Sequence, residues 1–112
     1  MPGAGLRRMT AAALAGGLFI AVPARSTELV EVTIAQNRFM PASVKVKAGT
    51  TVRWNNAERR NSHALAISGP ARAGSGLINP GQSWAHTFDK PGLYQYSCIP
   101  HPEMKGAVEV TE

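Results

Sequence analysis

One cysteine, Cys98, opens the run Cys98-Ile99-Pro100-His101-Pro102-Glu103-Met104, and that run separates two short extended-looking stretches, residues 93–98 and 107–110. A thiol, an imidazole and a thioether thus fall within one tight loop between two strands. An unpaired cysteine cannot form an internal disulfide, so in an exported chain it needs another role. Two histidines and a cysteine in a near-trigonal plane, with a weak axial methionine, make a mononuclear copper centre suited to electron transfer. The loop offers three such ligands. A fourth, upstream histidine is available in His63, at the head of the apolar run Ala64-Leu65-Ala66-Ile67.

The remaining pattern suits a fold that can hold such a loop. Residues 29–34 carry β-branched side chains with partial alternation, and Ser43-Val44-Lys45-Val46-Lys47 alternates strictly. Ala48-Gly49-Thr50 turns the chain into Thr51-Val52-Arg53-Trp54. Residues 63–67, 83–88, 93–98 and 107–110 complete the set, with a turn at Asp89-Lys90-Pro91-Gly92. Short alternating strands with turns at this spacing predict an all-β antiparallel sandwich. Residues 68–81, rich in Gly and Pro, are expected to be a long loop. Alternation places His86 on a solvent-facing side, outside the ligand set. No second domain and no repeat is evident.

The N-terminus reads as an export signal over residues 1–24. Arg7 and Arg8 precede an apolar stretch from Thr10 to Val22, and Val22-Pro23-Ala24 has small residues where a cleavage site needs them. The stretch is short and rich in Ala and Gly for a membrane span. Residues 25–112 then form one small domain, expected in a bacterial periplasm, with no stable membrane insertion after cleavage. A core of that size gains from a bound metal. The whole chain carries +5; without Arg7 and Arg8 the balance is ten basic against seven acidic residues, or +3. Arg53, Arg59 and Arg60 cluster in sequence, as a solvated loop or as a docking patch for an acidic partner. No basic run with interleaved aromatics points to nucleic acid.

Other chemistries suit these residues less well. Zinc would prefer further Cys or His ligands and has no use for methionine. A nucleophilic Cys–His pair would need an orienting third group and a substrate pocket, which a small sandwich with its ligands on one rim hardly offers.

At these residues the sequence resembles the cupredoxins, and most the amicyanins, with plastocyanins and pseudoazurins close behind. The resemblance spans essentially all of residues 25–112. Phe39-Met40-Pro41, Val44-Lys45-Val46-Lys47-Ala48-Gly49 and Thr51-Val52-Arg53-Trp54-Asn55-Asn56 resemble the family's approach to its first histidine ligand. Pro91-Gly92-Leu93-Tyr94-Gln95-Tyr96 resembles the approach to the copper loop, and Lys105-Gly106-Ala107-Val108-Glu109-Val110 the closing strand. The short loop with both prolines, Pro100 and Pro102, is the most specific part.

The resemblance implies a Greek-key sandwich and one copper ion, cycling between Cu(I) and Cu(II), on His63, Cys98, His101 and Met104. It implies a monomeric electron carrier with no reaction of its own. Donors would be a dehydrogenase or membrane complex, and acceptors a c-type cytochrome or oxidase. A copper carrier that hands its ion to another protein is the alternative. His101 would lie at the surface in an apolar patch beside Pro100 and Pro102. Three positions depart from the family pattern. Ala64 stands where relatives carry Asn, Ser or Thr, whose side chain ties that strand to the copper loop; Asn61, Ser62 or Ser97 would have to replace that tie. The segment Glu58-Arg59-Arg60-Asn61-Ser62 is polar and lacks the proline often found there. Glu103 replaces an apolar residue, which weakens hydrophobic docking and favours a more basic partner.

Overall fold

Alternation decides most of the architecture. The computed structural model describes residues 26–112; the expected signal segment lies outside them. Nine strands and no helix are present among the described residues: β1 Leu29–Ala35, β2 Arg38–Met40, β3 Ser43–Lys47, β4 Thr50–Asn56, β5 His63–Ser68, β6 Ala73–Ile78, β7 Ser83–Phe88, β8 Gly92–Cys98 and β9 Lys105–Thr111. They form a five-stranded sheet in the order β3-β9-β8-β5-β6 and a four-stranded sheet in the order β2-β1-β4-β7. The chain crosses between the sheets after β2, β3, β4, β6 and β7, giving a Greek-key sandwich. Most pairs are antiparallel, and each sheet holds one parallel pair, β9 with β3 and β1 with β4.

The inward face of β4 is Thr50, Val52, Trp54 and Asn56, all buried. That of β8 is Tyr94, Tyr96 and Cys98. Val32, Ile34, Leu65, Ile67, Ile78, Phe88, Val108 and Val110 fill the space between the sheets, each full burial stabilising by about 1.5–3 kcal/mol. Gly106 pairs with Tyr96, and a side chain there would run into the Tyr96 ring. Bareness at Gly106 therefore lets that ring lie flat in the core.

Two strands escape the sequence pattern. β6 runs through the expected loop over residues 68–81 with the sequence Ala-Gly-Ser-Gly-Leu-Ile, whose composition is poor for a strand. Backbone pairing to β5 holds it, with an irregularity between Ala64 and Ala66 where the Ser75 hydroxyl accepts the Leu65 N–H at 2.8 Å. β2 follows a two-residue turn, Gln36-Asn37, with both residues at positive φ, the conformation that suits the twist of a hairpin.

Two expectations are corrected. His86 does not face solvent: it shares the inward side of β7 with Trp84 and Phe88, half-buried and stacked against Trp84. Strand parity put it inside, and the edge position of β7 leaves it half open. Burial holds its pKa below the usual histidine value, with Asp89 opposing. Arg53 does not join Arg59 and Arg60: it pairs with Glu31 on the outer face of the four-stranded sheet at 2.9 Å.

Candidate metal centre

The site follows from strand register. Leu65 pairs with Cys98 and Ile67 with Tyr96, so the inward faces of β5 and β8 are aligned. His63, two residues before Leu65 on that same face, then lies beside the end of β8. The residues after Cys98 fold back in two successive turns. The His101 amide donates to the Cys98 carbonyl at 3.2 Å, and the Met104 amide donates to the His101 carbonyl at 2.8 Å. The Cys98 amide donates to the Met104 carbonyl at 3.0 Å, closing the loop onto the head of β9.

This brings the side chains together. Cys98 Sγ lies 3.4 Å from His63 Nδ1 and 3.8 Å from His101 Nδ1. The three donor atoms all lie within 4.8 Å of one another. Bonds of about 2.3 Å to sulfur and about 2.0 Å to nitrogen, meeting at a trigonal angle, put S and N about 3.8 Å apart. The spacing would let His63, Cys98 and His101 hold one metal ion between them. Cys98 and His63 are fully buried, Met104 is buried in the core cluster, and His101 is half-buried at the rim. A sulfur with no exposure is poorly placed to attack a substrate from solvent, which weighs against the nucleophilic reading.

Around this set the chain is tied by polar contacts. The expected tie lost at Ala64 is supplied by the backbone: the Ile99 amide donates to the Ala64 carbonyl at 2.8 Å. Neither Ser62 nor Asn61 makes it. The Ser62 hydroxyl donates to Asn79 at 2.7 Å, and the Asn61 carbonyl accepts from Asn56 at 2.9 Å.

Glu58 is the residue that sequence reasoning passed over. Its Oε2 lies 3.0 Å from His63 Nε2 and accepts the Asn37 amide at 2.9 Å. A carboxylate on the far nitrogen fixes the tautomer and the ring plane, and leaves Nδ1 free to bind metal. Partial burial pushes the Glu58 pKa up, but the Asn37 amide and His63 together hold it below the ordinary carboxylate value. Buried Asn56 holds this acid's loop. Its side-chain amide donates to the carbonyls of Asn61 (2.9 Å) and Ile78 (2.8 Å), and its oxygen accepts the Glu58 amide at 2.9 Å. The available signal was an acid a few residues ahead of a candidate ligand histidine.

The outer rim is mixed. Ile99 and Leu77 are well exposed at 63% and 66%, and Pro100, Pro102 and Glu103 are exposed beside His101. Arg59 and Arg60 stand exposed on the loop before His63.

Comparison with known proteins agrees with this geometry. The family of copper binding proteins, plastocyanin/azurin family, matches residues 27–111. The chain belongs to this family. Amicyanin-alpha of Methylorubrum extorquens is 38% identical over 102 residues, covering 88% of this chain and 86% of that protein. Amicyanin of Paracoccus denitrificans is 36% identical, over 72% of this chain and 64% of that protein, just under two thirds of its length. Plastocyanin of Scenedesmus fuscus also matches, at 36% identity over 64% of this chain. Among solved structures, a reduced Cu(I) form of an amicyanin variant at pH 4 superposes with a TM-score of 0.69 at 29% identity, covering 77% of this chain and 85% of that one. A copper-containing nitrite reductase from Thermus scotoductus superposes at 0.71 and 31% identity, but over only 25% of its own chain. The cupredoxin resemblance, the sandwich and the copper cofactor thus stand.

Proposed function

We propose that the chain is a periplasmic electron carrier whose single copper ion is held by His63, Cys98, His101 and Met104. The observation that carries this reading is the convergence of Cys98 Sγ and two imidazole Nδ1 atoms within 4.8 Å, buried on one side and half-open at His101 on the other. Bound there, copper supplies a one-electron couple, Cu(I)/Cu(II). The protein's part is to keep the donors still. Cys98 and His63 sit on paired strands, and the loop to Met104 is closed by three backbone hydrogen bonds. Little rearrangement between oxidation states is what makes electron exchange fast.

His101 is the ligand nearest solvent, and Ile99, Pro100 and Pro102 make an apolar edge around it through which partners would exchange electrons. Donors of the dehydrogenase or membrane-complex class and acceptors of the cytochrome c or oxidase class fit this role. Glu103 in that edge and the Arg59–Arg60 pair beside it give the surface its own charge pattern, so the partners named for any relative are not assumed. Export through residues 1–24 would place residues 25–112 in the periplasm as a soluble monomer.

A copper carrier would use the same ligands, but full burial of Cys98 and the Glu58 brace on His63 favour retention. Copper retention through repeated oxidation and reduction in the presence of a competing chelator tests the choice. A carrier of electrons keeps its metal through many cycles. Steady loss to the chelator on reduction would support delivery of copper instead.

A further inference from the structure

The chain's only two tryptophans, Trp54 and Trp84, are stacked on each other with centroids 5.5 Å apart and planes at 28°. Trp84 is half-buried on edge strand β7, whereas Trp54 is fully buried. Trp54 meets Tyr96 edge-on at 5.3 Å. Tyr96 precedes Cys98 by two residues on the same inward face of β8, about 7 Å along the strand. A continuous line of oxidisable rings therefore runs from the sandwich edge to the sulfur. It starts on the four-stranded sheet, away from the loop that carries His101.

We propose that Trp84, Trp54 and Tyr96 form a conduit by which the reduced protein discharges strong one-electron oxidants that strike the β7 edge. The proposal rests on the copper reading above.

Indole is among the most readily oxidised side chains, and an indole radical cation is a far stronger oxidant than a copper–thiolate centre, so transfer inward is downhill. The surroundings suit a charge that moves without its proton. The Trp54 indole N–H makes no hydrogen bond of good geometry, so no base stands ready to trap its radical by deprotonation. Buried Tyr96, edge-on to Trp54 and two residues before Cys98 on the same strand face, serves as the bridge between them. His86 lies parallel to Trp84 at 5.5 Å and 15°, and an imidazole kept neutral by burial does not repel a positive charge on that indole.

The electrons balance simply. The oxidant gains one electron from Trp84, Trp84 regains one from Trp54, and Trp54 regains one past Tyr96 from the reduced centre, leaving it Cu(II). No bond forms or breaks and no proton moves. The protein's ordinary donor then restores Cu(I).

A flash-quench experiment with a photogenerated ruthenium(III) polypyridyl oxidant tests this. In the metal-free protein, transient absorption and EPR should show an indole radical that is lost in Trp84→Phe, because buried Trp54 is out of the oxidant's reach. In the Cu(I) protein that radical should decay quickly, in step with the rise of the oxidised centre's colour. Trp84→Phe should lose the fast rise and Trp84→Tyr should regain part of it. Trp54→Phe should strand a long-lived radical on Trp84. An undiminished fast rise in Trp84→Phe, or an indole radical in metal-free Trp84→Phe, overturns the conduit. Chemical oxidation of the copper-loaded protein before any flash separates the two readings. If no colour forms, the copper reading fails and the conduit loses its destination; if colour forms but Trp84→Phe leaves the rates unchanged, the conduit alone fails.

Discussion

Glu58 and His63 face each other at 3.0 Å, and replacing that acid asks how much the brace contributes. Glu58→Gln keeps the shape and removes the charge. Loss of such an outer partner costs about 10–100-fold in metal affinity, to be read by competition titration with a chelator of known affinity. The same acid has a pH signature. Its folded pKa lies below the ordinary 4.5, so its contribution to stability is present above that value and lost as pH falls through the lowered one. The urea midpoint of metal-free protein should therefore drop in acid below about 4.5, and part of that drop should vanish in Glu58→Gln. Glu31 titrates in the same direction through its Arg53 and Asn55 hydrogen bonds and accounts for part of what remains. The ligand candidates were legible because three of them sit in one run of sequence. Glu58 was not, because its partners His63 and Asn37 reach it through the folded loop, and neither the turn at Asn37, 21 residues away, nor the side-chain bonds of Asn56 show in any periodic pattern.

Strands that bury one face announced themselves, and those held by backbone pairing did not. β3 and β4 alternate cleanly and were expected within a residue or two. β6 has glycines where a core strand would carry branched residues, and its pairing to β5 is a tertiary fact. Histidine 86 shows a limit of alternation: period two says which residues share a face, but not which face is inside. The phenyl ring of Phe88, at the same parity, was the clue. Between elements, Asn56 is the joint that ties the end of β4 to the loop before His63 and to the end of β6. Asn56→Ala would leave buried backbone groups without partners, at about 1–3 kcal/mol. The urea midpoint should fall accordingly, and copper should leave the variant faster in a stopped-flow chelator assay. Lost stability with an unchanged copper off-rate would mean that the loop holds His63 without this joint.

At the scale of the molecule, two sheets form a frame that holds the His63, Cys98 and His101 cluster at its rim. The frame places the Cys98 sulfur against two imidazoles and away from solvent, the setting the proposed copper ligand needs. Ile99, Glu103, Arg59 and Arg60 stand exposed toward possible partners, and family membership leaves the partner open. The most direct test is to add Cu(II) to the purified domain of residues 25–112 and record its visible and EPR spectra. The account predicts an intense blue absorption and a narrow copper hyperfine splitting, both lost in Cys98→Ser. A pale complex with an ordinary wide splitting, unchanged by Cys98→Ser, would contradict it.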